Sequence, residues 1–453
     1  MWLRKNSKAF GITLLALMIS LILASCSSLS NQRMEQSPMM ANLERKSGLI
    51  AYVGVDGNIY TMDQAGGKNK QITTDARFGS ADDNSVVVYQ TPAWSFDSSQ
   101  IAFVGVNGSM GSQEIDTASV FTVSLDNLEL VETFTSDQFF PFYISWSPTN
   151  DQLGFLADSN FSRGMALYSV PSQGGEARLL DAGRPYFWSW SPDGQRILTH
   201  AGGLNAASVE RMSFLNVADG AIEEKVLSHT PSNFQAPTWT ADGEHVIVAV
   251  EVQGQKSLVM LDKNGHLEET LATFEGEISF TIAPDGSKVA WISGDNLSAG
   301  FLIGQLTILD FENNNQIIVT GEKNVMAFFW SPDSEQIAYF PFQVIEVTLS
   351  EDASQSGTIP VGTVKARVME FGKKNIESRE VTYPFTPTPE FLNMLQLFTQ
   401  FQKSATIWSP DGQNLVLSAT LPEGAPVIWV VRSSGRLEPR YLVNGVLAFW
   451  SWE

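Results

Sequence analysis

A five-residue motif recurs along most of this chain and constrains its fold more than any other feature. Versions of Trp-Ser-Pro-Asp-Gly begin at six tryptophans, namely Trp94, Trp146, Trp190, Trp239, Trp330 and Trp408. A seventh copy, IAPDG, has Ile282 in the Trp position. The intervals run from 43 residues (Trp239 to Ile282) to 52 (Trp94 to Trp146), with a final one of 78 (Trp330 to Trp408). Self-similarity at this period is typical of a repeat architecture.

Each repeat has the pattern of four short strands. Seven residues after each lead position an apolar run begins, such as Ile101-Ala102-Phe103. The segments ALYSVP, SQGG and ARLL in the repeat that begins at Trp146 illustrate the strand, turn and strand that follow. Two hairpins of this kind form a four-stranded antiparallel sheet, which is the blade of a β-propeller. The predicted fold class is therefore all-β.

The two ends of the chain complement each other. The first apolar run, Leu49 to Tyr52, has no motif before it, and the chain ends with FWSWE. Aligned on FWSW, Trp452 matches Trp190. We therefore expect the C-terminal strand to supply the inner strand of the first blade and to close a propeller of eight blades over 48–453. Closure of this kind removes sheet edges that invite aggregation.

One repeat is too long, which predicts an insertion at about 341–406 in the seventh blade. Within it, Thr388 before Pro389 and Glu390 is typical of a helix start, and we expect a helix over 389–402. Its apolar residues share one face: Phe391, Met394, Leu395, Phe398 and Phe401. Two interpretations stay open. The helix packs on its own propeller and closes one end of the channel, or it serves as a lid or partner-docking element in which Phe391, Leu395, Phe398 and Phe401 bind the partner.

The N-terminus has the features of an export signal. Arg4, Lys5 and Lys8 precede an uncharged apolar run over 9–23. The sequence Leu-Ala-Ser-Cys that follows ends at Cys26, the only cysteine, and resembles the lipobox of bacterial lipoproteins. This resemblance implies a signal peptide over 1–25, lipid attachment at Cys26 and a tether over 26–47. The alternative is an uncleaved membrane anchor, for which the run is short, since a span needs about 20 residues.

The charge balance limits the partners. The net charge of −21 becomes −24 without residues 1–25, because three of the 28 basic residues are lost and all 49 acidic residues remain. Nucleic acid is excluded as a partner, since phosphate binding needs a basic surface. A single lipidated cysteine leaves no intrachain disulfide, so the core alone must stabilise the exported fold.

The repeated WSPDG and IAF-like segments resemble those of TolB-like, WD-type propellers. The resemblance covers nearly all of 48–453 and implies a β-propeller fold. TolB itself has six blades and an additional N-terminal domain, whereas eight blades and no such domain are expected here. Eight blades also resemble the propeller of dipeptidyl-peptidase-type enzymes, in which a hydrolase domain follows the ring. No such domain is expected after ring closure in this chain.

Catalytic and metal-binding motifs are not found in the sequence. The segment Asn107 to Gly111 only approaches a nucleophile elbow, and the four histidines have no metal-ligand spacing. The segment 310–314 lacks the glycine of a calcium loop. The motif aspartates and tryptophans recur in each unit, which favours turn capping and blade packing. We predict no catalytic residue, no cofactor and no metal.

The first functional hypothesis is a non-enzymatic β-propeller, held at a membrane outside the cytoplasm by its lipid, that binds a protein or an envelope polymer. Its acidic surface favours basic partners. The second is an envelope hydrolase or lyase that acts on peptide or glycan, with carboxylates converging at one channel mouth. The third is a ligand sensor in which the helix acts as a lid.

Overall fold

The computed structural model describes residues 48–453, apart from 81–82, 111–114, 160–163, 204–209, 219–220, 233–234, 295–300, 313–314, 319–322, 349–357, 372–375 and 436–437. The predicted signal peptide (1–25), the predicted lipid-attachment residue Cys26 and the predicted tether (26–47) lie outside the described residues. Within the described ranges, no helix has the length and apolar character that crossing a membrane requires.

The strands of the first four blades follow the repeat. The first blade contains β1 (Leu49–Gly54), β2 (Ile59–Asp63) and β3 (Lys70–Gln71). The second contains β4 (Arg77–Phe78), β5 (Ser85–Trp94), β6 (Gln100–Ser109), β7 (Ile115–Ser124) and β8 (Leu130–Ser136). The third contains β9 (Phe139–Trp146), β10 (Gln152–Ser159), β11 (Met165–Pro171) and β12 (Arg178–Gly183). The fourth contains β13 (Tyr186–Trp190), β14 (Arg196–Ala201), β15 (Arg211–Asn216) and β16 (Glu223–Val226).

The remaining four blades complete the ring. The fifth contains β17 (Thr238–Trp239), β18 (His245–Val252), β19 (Gln255–Asp262) and β20 (Leu267–Thr273). The sixth contains β21 (Glu277–Ile282), β22 (Lys288–Gly294), β23 (Gln305–Asp310) and β24 (Asn315–Ile318). The seventh contains β25 (Val325–Trp330), β26 (Gln336–Thr348), β27 (Thr358–Val364), β28 (Arg367–Phe371) and β29 (Ile376–Glu380). The eighth contains β30 (Thr386–Pro387), α1 (Pro389–Gln396), α2 (Phe398–Phe401), β31 (Asn414–Thr420), β32 (Pro426–Arg432) and β33 (Arg440–Trp450).

The last strand joins the eighth blade to the first. The first half of β33 pairs with β32, where Asn444 lies opposite Val427. Its second half pairs with β1, where Trp450 lies opposite Ile50. The two sheets thus share one strand, and the ring is closed by the C-terminal strand, as predicted.

The alignment of Trp452 with Trp190 is wrong by two residues. In the other blades the lead residue pairs with the first residue of the apolar run, as Trp190 does with Ile197. In the first blade the residue opposite Ile50 is Trp450, which is therefore the eighth lead residue. The FWSW pattern misled because it contains tryptophan at both positions.

Ser451 completes this split copy of the motif. Its Oγ accepts a hydrogen bond from Leu49 N at 2.9 Å. The Oγ of Ser191 accepts the same bond from Arg196 N at 2.9 Å in the fourth blade. One turn is therefore assembled from residues at opposite ends of the described chain.

The lead tryptophans connect neighbouring blades through their indole N–H groups. Four of the seven, counting Trp450, donate to the carbonyl oxygen that directly precedes the lead residue of the previous blade, whereas the buried indole nitrogens of Trp190, Trp330 and Trp450 have no hydrogen-bond partner among the described residues. The pairs are Trp146–Ala93 (2.9 Å), Trp239–Ser189 (3.3 Å), Trp408–Phe329 (2.9 Å) and, across the closure, Trp94–Phe449 (3.3 Å). The packing role expected for these tryptophans is thus seen in the structure, and four of them add a hydrogen bond between blades.

The two ends of the blades differ in their connections. The turn face carries the motif turns, which have one length throughout: 95–99, 147–151, 191–195, 240–244, 283–287, 331–335 and 409–413. Because the strands of a blade are antiparallel, the connections between the second and third strands lie at the opposite end, which we call the loop face. These vary from 253–254 to 295–304. Variable loops on a rigid frame are where binding functions concentrate.

The predicted insertion consists of two separate pieces. In the seventh blade, β26 pairs with β28 through its first residues and with β27 through its last, which forms a ribbon at the loop face. Val344 on this ribbon is 58% exposed. The helical piece lies not in the seventh blade but within the first strand of the eighth.

Candidate functional site

The helical piece interrupts a strand without ending it. On one side of it, Thr388 N donates to Ser418 O of β31 at 3.2 Å. On the other side, Ile407 O accepts from Val416 N of the same strand at 2.8 Å. Ser418 and Val416 are only two residues apart, so the strand is continuous except for residues 389–405. We call these residues the channel segment.

Local sequence determines how the channel segment begins. The Thr388 Oγ accepts a hydrogen bond from Phe391 N at 3.2 Å, which is the N-cap bond of α1. Pro389 occupies the first turn, where its missing N–H costs nothing, and Glu390 places an acidic group at the positive end of the helix. The start is as predicted, but the single predicted helix is two short ones, because Leu397 has φ −112° and ψ 27°.

The apolar face of the channel segment packs into the ring. Phe391, Leu395, Phe398 and Phe401 are 0%, 0%, 2% and 8% exposed. The ring of Phe398 lies 4.7 Å from that of Phe328 on β25 in the seventh blade, measured between centroids. These four side chains are not accessible to a partner in this arrangement. Docking through them stays a prediction that requires the segment to leave its place.

Two glutamines attach the channel segment to opposite parts of the wall. Gln400 accepts from Trp188 N at 3.1 Å and donates to Trp188 O at 2.9 Å, in the fourth blade. Gln402 accepts from Trp330 N at 3.3 Å and donates to Phe328 O at 2.6 Å, in the seventh. Each side-chain amide thus replaces the pairing that another strand would give to an inner edge. This role was not predicted, because its only signal in the sequence is two glutamines two residues apart in an apolar run.

The channel segment also carries two ionisable groups without counterions. Burial raises the pKa of Glu390, whose Oε2 has no hydrogen-bond partner among the described residues. Burial alone lowers the pKa of Lys403 to about 7. Loss of hydration disfavours the charged form of an amine that has no carboxylate beside it, which lowers its pKa.

The motif aspartates cap their turns, as expected. Asp242 Oδ1 accepts from Thr240 Oγ1 at 2.6 Å and from Glu244 N at 3.0 Å. The Thr240 bond, followed by the Glu244 bond, lowers the pKa of Asp242. An equivalent pair of bonds holds Asp193, Asp333 and Asp411. These carboxylates therefore serve as turn caps.

The histidines are individually partnered. His200 is fully buried, with its Nε2 2.7 Å from Glu210 Oε1 and its Nδ1 3.0 Å from Gln235 O. His245 lies 2.9 Å from Glu268. In the part of the chain that the structure describes, no three His, Cys, Asp or Glu side chains are grouped as metal ligands would be.

One network of charged groups joins the third and fourth blades. Burial raises the pKa of Asp181, although Tyr186 and Arg211 act to lower it. Its Oδ2 accepts from the Tyr186 hydroxyl at 2.8 Å, and its Oδ1 accepts from Arg211 at 2.5 Å. Arg211 also donates to Glu224 at 2.8 Å. Both Asp181 oxygens therefore accept hydrogen bonds, and the network connects the third blade to the fourth.

A cavity of about 410 Å³ lies where the ring closes, between the β1–β2 hairpin and the first half of β33. We call it the seam cleft. Its polar lining residues are Tyr52, Asp56, Tyr60, Asn69, Tyr441 and Asn444. The Tyr60 hydroxyl donates to Asp56 Oδ2 at 2.6 Å, and the Tyr441 hydroxyl donates to Asn444 Oδ1 at 2.7 Å. None of the described residues that line it is cationic. No local pattern in the sequence indicates this site, because its walls come from the two ends of the ring.

Comparison with known proteins finds partial similarities. No family model matches the chain. An uncharacterised protein of Agrobacterium fabrum is 25% identical over 190 residues, which are 40% of this chain and 63% of that protein. TolB from Acinetobacter baumannii is 17% identical with a TM-score of 0.35, over 61% of this chain and 64% of TolB. A structure described as a TolB from Agrobacterium tumefaciens is 18% identical with a TM-score of 0.37, over 61% of this chain and 89% of that one.

The chain thus spans somewhat under two thirds of the Agrobacterium fabrum protein and of the Acinetobacter TolB. Its own strand pairing and repeated motif show a β-propeller. The similarity concerns the fold and is not evidence about activity.

Proposed function

We propose that this TolB-like β-propeller is a lipid-anchored binding scaffold of the cell envelope, which recognises a protein or an envelope polymer and performs no chemistry. The observation that carries the proposal is the filled channel. A propeller enzyme of the kind considered above needs convergent groups at a channel mouth, whereas residues 389–405 occupy the channel and are bonded to its wall on two sides.

The anchoring part of the proposal comes from the N-terminal sequence. The lipobox resemblance at Cys26 supplies an attachment point, and residues 26–47 supply a tether of about 22 residues. A lipid chain binds a membrane through its buried CH₂ groups, each of which contributes about 0.8 kcal/mol. The ring would then lie next to the membrane surface with its loop face or its rim available to partners.

Mutation of the lipid-attachment site tests the anchor. We expect the wild-type chain to incorporate labelled palmitate and to sediment with membranes. Cys26→Ser should lose both properties, while the ring keeps its cooperative melting. A Cys26→Ser chain that still sediments with membranes in high salt would contradict lipid anchoring.

Site-specific photo-crosslinking tests the binding role in native envelopes. A photoreactive residue at Tyr383, which is 76% exposed near the loop face, should give discrete adducts with a protein or a polymer. The matched control is Glu335, an exposed residue of a turn on the turn face. Equal labelling at both positions, or none at either, would count against a specific binding scaffold.

The enzyme alternative has little support in the groups present. A second cavity, of about 690 Å³, lies between the fifth and sixth blades and includes Asp242 and Asp285. Burial acts to raise the pKa of Asp285, but hydrogen bonds from Ser287 outweigh it, and the pKa is lowered. Asp242 and Asp285 are ionised turn caps and do not supply the general acid that glycan or peptide cleavage requires. The other titratable groups of the lining are Glu269 and His245, of which His245 is paired with Glu268 at 2.9 Å.

The lid alternative concerns the same channel segment. A sensor would release residues 389–405 when a ligand binds, at the cost of the Gln400 and Gln402 bonds. The segment is continuous with a strand at both ends, which opposes that release. Proteolysis after Lys403 that is enhanced by an envelope extract would favour a lid over a fixed filling.

A further inference from the structure

The seam cleft contains a polar variant of an aromatic pair that is also present in the second and third blades. In those blades an aromatic ring of the apolar run stacks on a ring of the next strand. The stacked pairs are Phe103–Phe121 (5.6 Å, 23°), Phe155–Tyr168 (5.4 Å, 12°) and, in the first blade, Tyr52–Tyr60 (5.1 Å, 16°). Stacking itself is therefore part of the repeated core. What differs in the first blade is that both rings carry hydroxyl groups and that these line a cavity.

The hydroxyl groups are held in place by polar residues outside the repeat pattern. Asp56 accepts from the Tyr60 hydroxyl at 2.6 Å, and its carboxylate is oriented by Asn58 Nδ2 at 2.8 Å. The Tyr52 hydroxyl is hydrogen-bonded to the side-chain amide of Asn69 at 2.9–3.1 Å. A rigid core does not need this set of groups, since Phe103 and Phe121 pack in the same way without them.

The two rings of the stack differ in exposure. Tyr52 is only 3% exposed and lies beneath Tyr60, which stays partly exposed at the cleft. Gly54 lies under this ring, because a Cβ there would meet Tyr60 Cε2 at 2.9 Å. The cleft therefore offers an aromatic surface bordered by a carboxylate and two amides, Asn69 and Asn444.

The electrostatics of the cleft select against anions. Burial raises the pKa of Tyr52 to about 12, although the Asn69 bond acts to lower it. Burial, with the bond to Asp56, raises the pKa of Tyr60 further. The phenols are thus neutral donors and acceptors, and Asp56 is a lining carboxylate without a lining cation. A negatively charged ligand would gain no counterion here.

We propose that the seam cleft binds a neutral saccharide, as one or two sugar units of an envelope polymer. Sugar hydroxyls need closely spaced acceptors and donors, which Asp56, Asn69 and Asn444 provide, and the C–H face of a sugar ring packs on an aromatic face such as that of Tyr60. The volume of about 410 Å³ is within the range of small-ligand sites. This inference rests on the proposed binding role and gives that role a ligand class.

Saccharide titration of the full-length chain tests the inference. The chain is kept in a zwitterionic detergent that contains no sugar, and binding is followed by saturation-transfer NMR and calorimetry. The neutral probes are chitobiose, cellobiose and maltose, and the anionic probe is digalacturonate. We expect at least one neutral disaccharide to bind and digalacturonate to bind more weakly.

Two variants and a matched control locate the binding. Tyr60→Phe keeps the stacked ring and removes the hydroxyl, and Asp56→Asn removes the charge; each should weaken the affinity about tenfold, which corresponds to one hydrogen bond to a charged group. Tyr168→Phe makes the same change at the equivalent position of the third blade, outside the cleft, and should leave the affinity unchanged. Thermal melting checks that all three variants fold.

Several outcomes would overturn the inference. These are the failure of every neutral probe to bind, equal effects of Tyr60→Phe and Tyr168→Phe, or a preference for digalacturonate. If saccharides do not bind but the crosslinks at Tyr383 persist, the ligand class is wrong and the binding role stands. If the crosslinks are absent as well, the proposed function fails with it.

Discussion

At the scale of a single residue, Lys403 is a group of the channel segment that lowers the stability of the fold. Its side chain is partly buried and has no hydrogen-bond or ion-pair partner among the described residues. Burial lowers its pKa to about 7, from an ordinary value of 10.5. The unfolded chain therefore binds a proton more strongly than the folded chain does between these two pH values, and the charged amine destabilises the fold.

Lys403→Met should stabilise the ring in a pH-dependent way. Below pH 7 both states of the wild-type chain are protonated and the penalty is complete, so the variant should unfold with a free energy higher by on the order of 1 kcal/mol. From pH 7 to about pH 10.5 the wild-type chain recovers this energy, and the difference should shrink. Urea unfolding at pH 6, 8 and 10 measures it.

Lys323, which is exposed, provides the control for this prediction. Lys323→Met should change the unfolding free energy little, and by the same amount at each pH. A Lys403→Met effect that is constant over this range would show that the gain comes from packing and not from the charge.

At the scale of elements, the channel segment behaves as a substitute for a strand. Gln400 forms two hydrogen bonds with the backbone of Trp188, and its own carbonyl oxygen accepts from the Tyr143 hydroxyl at 2.9 Å. The segment therefore links the third, fourth and seventh blades from inside the ring. This arrangement explains why an interrupted strand is compatible with a closed propeller.

Gln400→Leu should destabilise the ring by about 3 kcal/mol, because the N–H and carbonyl groups of Trp188 lose their partner inside the channel. The matched change Gln396→Leu affects an exposed residue of the same segment and should cost no more than about 0.5 kcal/mol. Chemical unfolding of both variants measures the two changes in unfolding free energy. Equal effects would mean that the glutamine bonds do not contribute to stability.

At the scale of the whole molecule, stability depends on the contact between the two ends of the ring. Five register pairs connect β1 to β33, and the Trp94 indole crosses the same junction. Residues 49 and 450 are far apart along the chain, so this junction forms only when all eight blades are in place. Folding should consequently be cooperative over the whole ring.

Deletion of residues 445–453 should abolish cooperative melting and cause aggregation, because β1 loses its neighbour and exposes an edge. A circular permutant supplies the control. It joins residue 453 to residue 48 through a short linker and opens the chain between Gln253 and Gly254, in an exposed turn. The permutant should stay soluble and melt cooperatively, whereas a truncated chain with unchanged melting would refute the role of closure. Calorimetry and size-exclusion chromatography measure both.

Much of this fold could be predicted because its signals are local. The strand pattern, the motif turns and the Thr388 cap each depend on residues a few positions apart, and so does the apolar face of the channel segment. Repetition of the same local signals gave the number of blades. The split of the last motif copy between the two chain ends was also predicted. Only its register, with Trp450 in place of Trp452 as the lead residue, could not be determined without the observed strand pairing.

The sequence by itself therefore determined an all-β ring of eight blades, its closure by the last strand and the position of a helical insertion. The tertiary structure alone decided that this insertion interrupts the first strand of the eighth blade, that Gln400 and Gln402 bond to opposite walls, and that a tyrosine-lined cleft forms at the seam. The physical reason is distance along the chain. Hydrogen bonds such as those between Gln400 and Trp188, or a cleft shared by Tyr60 and Tyr441, join residues that no local pattern relates.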